Sequence, residues 1–210
     1  MNANRARKGF LIVIAACSGT GKSTVCRALL EQDPNMRVSV SYTTRAPRGQ
    51  EEDGVHYHFV SSDDFQHMVE NRELLEWAQV HDRAYGTGRA ATEAMLEQGH
   101  DVLLDIDIQG AFQIRETFGE RSILIFLLPP DWGTLRQRLE SRGTETEEQI
   151  LRRLKTAQEE LQQAGEMEYM VVNEEVNVAA SEIRAIRNAR AAESRFYRDF
   201  LNQMQTDSQS

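Results

Sequence analysis

A chain of 210 residues suits one α/β domain carrying a small insertion, and it is long enough to bury a core of its own. Its 40% apolar and 27% charged residues are those of an ordinary globular protein rather than a disordered or fibrous one. A net charge of −9 argues against bulk attraction to nucleic acid or anionic membrane, so any anion must be held at local clusters of Arg, Lys and backbone N–H groups.

Residues 1–8, MNANRARK, form a basic N-terminal segment with no signal-peptide core behind it. FLIVIAA (10–16) is a continuous aliphatic run, which predicts a central parallel strand buried on both faces. A Gly-containing turn follows. The spacing of Val25, Leu29 and Leu30 then predicts a helix over 22–32, limited by Pro34. From 36 to 88 the texture changes to short pieces, VSVSY, VHYHFV after the Asp53-Gly54 turn, and ELLEWAQV, with a short helix from Ser62 or Asp63 to Asn71. This stretch reads as an inserted small β-rich sub-domain, leaving a core of 9–35 and 89–188.

Alternation then resumes. DVLLDID (101–107) is a strand followed by a helix over 108–118, and SILIFLL (122–128) is a strand followed by a helix over 131–141. Thr146-Glu147-Glu148-Gln149 has the form of a capping box and opens a helix with Ile150, Leu151, Leu154 and Leu161 at helical spacing. EYMVV (168–172) is a last strand, a long polar helix is expected over 178–203, and 189–210 forms a C-terminal helical extension and tail. The alternation implies a parallel sheet flanked by helices. Two cysteines, Cys17 and Cys26, make no disulfide framework. The apolar runs 10–17 and 123–128 fall short of the ~20 residues of a membrane span. The expectation is a cytoplasmic protein with no membrane or nucleic-acid partner.

Residues 16–24, ACSGTGKST, lie between the first strand and the first helix and match the P-loop pattern G-x-x-x-x-G-K-[ST], with Ala16 replacing the first Gly. In such a loop the backbone of Ala16, Cys17, Ser18, Gly19, Thr20 and Gly21 curls N–H groups toward phosphate oxygens. Lys22 reaches the β and γ phosphates, Ser23 offers a hydroxyl to Mg²⁺, and Thr24 continues the helix N-terminus. A Gly-rich αβ connection without catalytic meaning is the alternative, and the intact GKST weighs against it. Ala16 adds a methyl that a negative φ accommodates. Cys17 lies near a helix N-terminus, which would lower its pKa and make it redox-sensitive; a small residue filling the loop is the plainer reading.

Three further groups stand out. Ser41-Tyr-Thr-Thr-Arg45-Ala-Pro47-Arg48 places two guanidiniums in a hydroxyl-rich stretch, with Tyr57, Tyr85 and Thr87 in later strands. On pattern alone this is either an anion site or a solvated basic loop. Asp105 and Asp107 flank Ile106 at a strand's end. Asp105 resembles the acidic residue that helps P-loop proteins hold hydrated Mg²⁺, although a carboxylate capping the next helix is the rival explanation. Arg142-Gly143-Thr144 interrupts the helical pattern and looks like a mobile lid over about 138–152, with Arg138 before it and Arg153 on the following helix. Pairing of these arginines with Glu147, Glu148 or Glu159 is the alternative.

The blocks SVSYTTRAPR, GVHYHFV, LLEWAQVHDRAYGT, LLDIDIQGA and RLESRGTETEEQILRRL, in that order and spacing, resemble the guanylate kinase family over residues 9–186. An Ala at position 16 is familiar there, whereas Cys17 stands where Pro is usual. The resemblance implies a P-loop NTPase core, an inserted GMP-binding sub-domain and a lid, within a domain spanning 9–188. It implies ATP-dependent phosphorylation of GMP, and of dGMP, with Mg²⁺. By the same resemblance Ser41, Arg45, Arg48, Tyr57 and Tyr85 hold the GMP phosphate, and Glu76 and Thr87 read guanine with help from Asp107. Arg138, Arg142 and Arg153 act from the lid, Asn173 lies on the adenine side, and Lys22, Arg48, Arg142 and Arg153 carry catalysis. Guanine presents N1–H and N2–H₂ as adjacent donors for a carboxylate, a pair that adenine lacks. Two other outcomes stay open: a guanylate-kinase-like scaffold that binds phosphopeptides without turnover, and a related kinase acting on a sugar bisphosphate. The oligomeric state is undecided, since Ala180, Ile183, Ile186 and Phe196 form only a sparse apolar stripe.

Overall fold

The computed structural model describes residues 9–80, 82–141 and 146–207. The elements run β1 (Leu11–Ala16), α1 (Lys22–Gln32), β2 (Met36–Val38), β3 (Ser41–Thr43), β4 (His58–Phe59), α2 (Ser62–Glu70), β5 (Leu74–Val80), β6 (Arg83–Gly88) and α3 (Arg89–Glu97). They continue with β7 (Asp101–Asp105), α4 (Ile108–Phe118), β8 (Ser122–Leu128), α5 (Trp132–Glu140), α6 (Glu147–Ala164), β9 (Tyr169–Val172), α7 (Val176–Ala191) and α8 (Arg198–Asp207). A parallel five-stranded sheet, in the order β2-β7-β1-β8-β9, forms the core.

β1 is central because its residues are apolar on both faces. Leu11, Val13 and Ala15 join Val102, Leu104, Leu124 and Phe126 on one side, beneath Ala111 and Ile114 of α4 and Leu135 and Leu139 of α5. Ile12 and Ile14 join Leu103, Ile123, Ile125 and Leu127 on the other, beneath Val25 and Leu29 of α1 and Ala179, Ala180 and Ile183 of α7. Each fully buried branched aliphatic side chain contributes on the order of 2 kcal/mol through removal from water. A right-handed α/β core of this kind leaves the carboxyl ends of its strands open for ligands.

A second, four-stranded sheet in the order β4-β3-β6-β5 forms the sub-domain. Its own small core of Phe65, Leu74 and Ala84, with Tyr42, Val60, Met68 and Val69, seats α2 against it. The boundary expected at residue 36 shifts: Met36–Val38 pairs with β7 in the core sheet, and the second sheet begins at Ser41. Short alternating strands carry no signal of which sheet they join. The helix α3 escaped the sequence reading because only Thr92 and Leu96 of it are buried.

Two further expectations are corrected. The strand over 101–107 ends at Asp105, so Asp107 lies beyond it and the two-residue spacing of the carboxylates does not place them on one strand face. The long helix over 178–203 is broken: α7 ends at Ala191, Glu193 is extended, and a 3₁₀ turn (Ser194–Tyr197) precedes α8. Glu193 pairs there with both Arg190 and Arg195, and Phe196 sets its ring edge-on to Phe10 at 5.1 Å. The sparse stripe therefore covers this chain's own sheet, with Ala180 and Ile183 buried and Ile186 and Phe196 packed on the same core. Among the described residues no helix is long and apolar enough to cross a membrane.

Candidate active site

β1 delivers the phosphate loop to the open end of the core sheet. Gly19 (φ 92°) and Gly21 (φ 97°) take the left-handed backbone that turns the chain from strand to helix. A Cβ at Gly21 would stand 2.6 Å from Asn173 Nδ2, so the turn also requires a residue without a side chain on steric grounds. Ala16 closes β1 in ordinary extended geometry and is absent from the positive-φ residues, so its methyl is tolerated as expected. The first turn of α1 then points its N–H groups at the loop.

Lys22 Nζ lies 2.6 Å from Asp105 Oδ1 and donates to the Ile106 carbonyl at 2.8 Å. The ends of β1 and β7 thus bring Lys22 and Asp105 together, with Ser23 next to Lys22 in the first turn of α1. Ser23 is exposed and Asp105 is 37% exposed, which gives one hydroxyl and one carboxylate as oxygen donors open to water. Asp107 is the N-cap of α4, its Oδ1 accepting the Gly110 N–H at 2.8 Å. The capping role entertained for Asp105 therefore belongs to Asp107.

The loop is braced from α5, α6 and β9. Arg138 donates to the Thr20 carbonyl at 2.9 Å and to the Asn173 carbonyl at 3.1 Å, and Asn173 Nδ2 donates to the same Thr20 carbonyl at 2.8 Å. Arg153 Nη1 reaches Ser18 Oγ at 2.9 Å. All three predicted residues converge on the loop, and Arg142 lies outside the described residues. Among the glutamates nearby, Glu147 pairs with Arg136, which also meets Glu140, and Glu148 pairs with Arg152. Of the two readings of Cys17, the structure favours the plainer one. Its thiol is 2% exposed and donates to the Ala157 carbonyl at 3.4 Å, and burial, with Glu160 adding to it, pushes it up to about 12. Cys17 is a small residue filling the loop.

The sub-domain presents the second half. Ser41 of β3 pairs with Thr87 of β6, which pairs with Glu76 of β5. Directly opposed residues share a face, so the three side chains form a row across the sheet. Thr87 Oγ1 donates to Glu76 Oε1 at 2.5 Å. Glu76 is 4% exposed, and burial pushes its carboxyl up to about 7; the Thr87 hydrogen bond pulls the other way and the nearby Asp107 charge adds to the rise.

Arg45 is buried against the ring of Tyr57, 5.2 Å from its centroid, and Tyr57 in turn meets Tyr85 edge-on at 6.1 Å. Its fork is clasped by Glu51 at 2.7 and 2.9 Å, and Glu51 also accepts the Arg48 N–H at 2.8 Å. The Arg48 guanidinium is exposed. Arg45 first, then the Arg48 N–H, hold the Glu51 carboxyl down at about 2. Sequence reasoning missed Glu51, since an acidic residue in a polar turn has the look of any solvated loop.

Burial and then the Asp105 charge raise the Tyr57 phenol of the sub-domain above its usual range. The core and the sub-domain are in contact. Helix α4 joins them: Gln113 donates to the Trp77 carbonyl at 2.8 Å and accepts the Trp77 N–H at 3.1 Å, so that a side-chain amide serves as the next strand beside β5.

The guanylate kinase family model matches residues 8–189. The chain belongs to the guanylate kinase family. As such it is an enzyme of the phosphotransferase class. The guanylate kinase of Caldanaerobacter subterraneus subsp. tengcongensis is 47% identical over 180 residues, covering 86% of this chain and 87% of that one. The crystal structure of guanylate kinase from Anaplasma phagocytophilum superposes with a TM-score of 0.73 at 33% identity, covering 89% of this chain and 88% of the other. A gluconokinase from Sinorhizobium meliloti, at 21% identity and a TM-score of 0.51, shares the fold alone. The family match ends at residue 189, inside α7, so the 3₁₀ turn and α8 lie beyond it.

Proposed function

We propose that this guanylate kinase family member transfers the γ-phosphoryl group of ATP to GMP, giving ADP and GDP, with dGMP as a second acceptor. The observation that carries the reading is the Glu76–Thr87 pair, a buried carboxylate oriented by a hydroxyl in the same sheet that carries the arginine loop. Ionised Glu76 accepts from guanine N1–H and N2–H₂. Adenine would leave the carboxylate unpaired, at a cost of about 1–3 kcal/mol or more. Arg45, Arg48, Tyr57, Tyr85 and Ser41 grip the monophosphate, with Arg bidentate geometry matched to its oxygens.

On the donor side, the phosphate loop binds the triphosphate through backbone N–H groups and Lys22. Ser23 and Asp105 fit a hydrated Mg²⁺, since a hard cation that keeps most of its waters needs few, oxygen-only protein ligands. Bound there, Mg²⁺ supplies charge neutralisation at the donor phosphates. Arg138 acts from α5 and Arg153 from α6, and Arg142, outside the described residues, completes the set of lid cations. Asn173 braces the loop on the adenine side. The acceptor is already an ionised phosphate oxygen, so positioning and charge, rather than a general base, carry the rate. Two free thiols, Cys17 and Cys26, accord with a cytoplasmic setting.

A panel of GMP, dGMP, AMP and a ribose bisphosphate, each with ATP and Mg²⁺ in a coupled ADP assay, tests the proposal. Turnover of GMP and dGMP well above AMP is the expected result. Preference for the sugar bisphosphate, or phosphopeptide binding without any turnover, would overturn it.

A further inference from the structure

Gly110 occupies the first turn of α4 with ordinary helical backbone, so no positive φ accounts for a glycine there. In a helix, glycine is less favourable than alanine by about 1 kcal/mol. What the position does require is room. A Cβ at Gly110 would stand 2.6 Å from Glu76 Oε2, 3.2 Å from Glu76 Cδ and 3.2 Å from Ile106 Cδ1. The helix cannot readily step back: Asp107 caps it at the Gly110 N–H, and Gln113 ties it to the backbone of Trp77, next to Glu76.

We propose that Gly110 is a specificity-determining residue of the acceptor site, acting through Glu76. The proposal rests on Glu76 as the reader of guanine. The missing side chain lets the flat of the carboxylate lie against the first turn of α4. Oε1 is then fixed by Thr87 and Oε2 by the helix surface, and both oxygens are presented edge-on to one plane of donors. A methyl at this position displaces Oε2, and with it the spacing that matches adjacent N–H donors. The atom in the way is the far end of a side chain, so Glu76 turns and the fold survives. The three atoms nearest the added carbon belong to Glu76 and Ile106, with none from Arg45 or the phosphate loop among them.

The test is Gly110→Ala, alone and combined with Glu76→Gln, assayed with GMP, AMP and ATP and followed by thermal unfolding. The single variant should fold with an unchanged or higher Tm. Its KM for GMP should rise about tenfold or more and its preference for GMP over AMP fall accordingly, while its KM for ATP stays within about twofold. In the Glu76→Gln background the same alanine should add less than about twofold, because residues coupled through one contact are not additive. An unchanged KM for GMP, an equal effect in both backgrounds, or a variant that fails to fold would overturn the proposal. A Glu76→Gln enzyme that keeps full GMP preference would instead remove the reading of Glu76 on which it stands.

Discussion

Glu76 is a carboxylate in a site where water cannot solvate it, and its behaviour with pH follows. Because burial raises its pKa from 4.5 to about 7, the folded protein binds this proton more tightly than the unfolded chain does. The stability contributed by the protonated form is therefore lost as pH rises from 4.5 toward 7. The proposed recognition of guanine runs the opposite way, since only the ionised group would accept both guanine donors. We predict that kcat/KM for GMP falls by about tenfold per pH unit below 7, and that Glu76→Gln removes this inflection, leaving the acceptor phosphate's own near 6. A pH profile of the two enzymes checks this. Glu51 acts on the neighbouring half of the site. Glu51→Gln should raise the KM for GMP by about tenfold with kcat little changed, because it loosens the charge-assisted clasp on Arg45 rather than removing a group from the transferring phosphoryl. Lys22→Ala and Arg48→Ala remove such groups and should each lower turnover by about 100-fold or more, on the order of 3 kcal/mol in the transition state. Steady-state kinetics of folded variants separate the two patterns.

At the scale of elements, the capping box of α6 is the clearest case of a local rule expressed in structure. Thr146 Oγ1 accepts the Gln149 N–H at 3.4 Å, and Gln149 Oε1 accepts the Thr146 N–H at 2.8 Å. Thr146→Ala should cost about 1 kcal/mol in urea unfolding, since it removes the hydroxyl that satisfies a first-turn N–H. Caps are legible in a sequence because donor and acceptor lie within one turn. The end of β7 and the break after α7 were not legible. Glu193 leaves the helical backbone and pairs with Arg190 and Arg195, and Arg195 reaches Glu120, a residue 75 positions away in the chain. Nothing in the residues near 193 announces that partner.

At the scale of the whole molecule, one buried ion pair ties the last long helix to the core. Asp101, the first residue of β7, is fully buried; it accepts the Phe10 N–H at 3.0 Å and meets Arg187 of α7 at 2.6 Å. Asp101→Ala would leave the Arg187 guanidinium in the interior without this counter-charge, and denaturant unfolding should show a loss of about 3 kcal/mol. A replacement of both partners by apolar residues should recover much of that, because the isolated charge is the costly species.

By itself the sequence determined the phosphate loop, the apolar strands around it, the α/β alternation and, through the family resemblance, the set of side chains proposed for the acceptor site. Those features are written in contiguous residues or in fixed spacings, where local backbone rules apply. Only the tertiary structure decided that β2 belongs to the core sheet, that Asp107 caps a helix while Asp105 meets Lys22, that Cys17 is buried with its thiol held protonated, and that Glu51 clasps Arg45. It also decided that a glycine 34 residues after Glu76 borders its carboxylate. Each of these depends on burial and on distances across the fold, and neither quantity exists until the chain has packed.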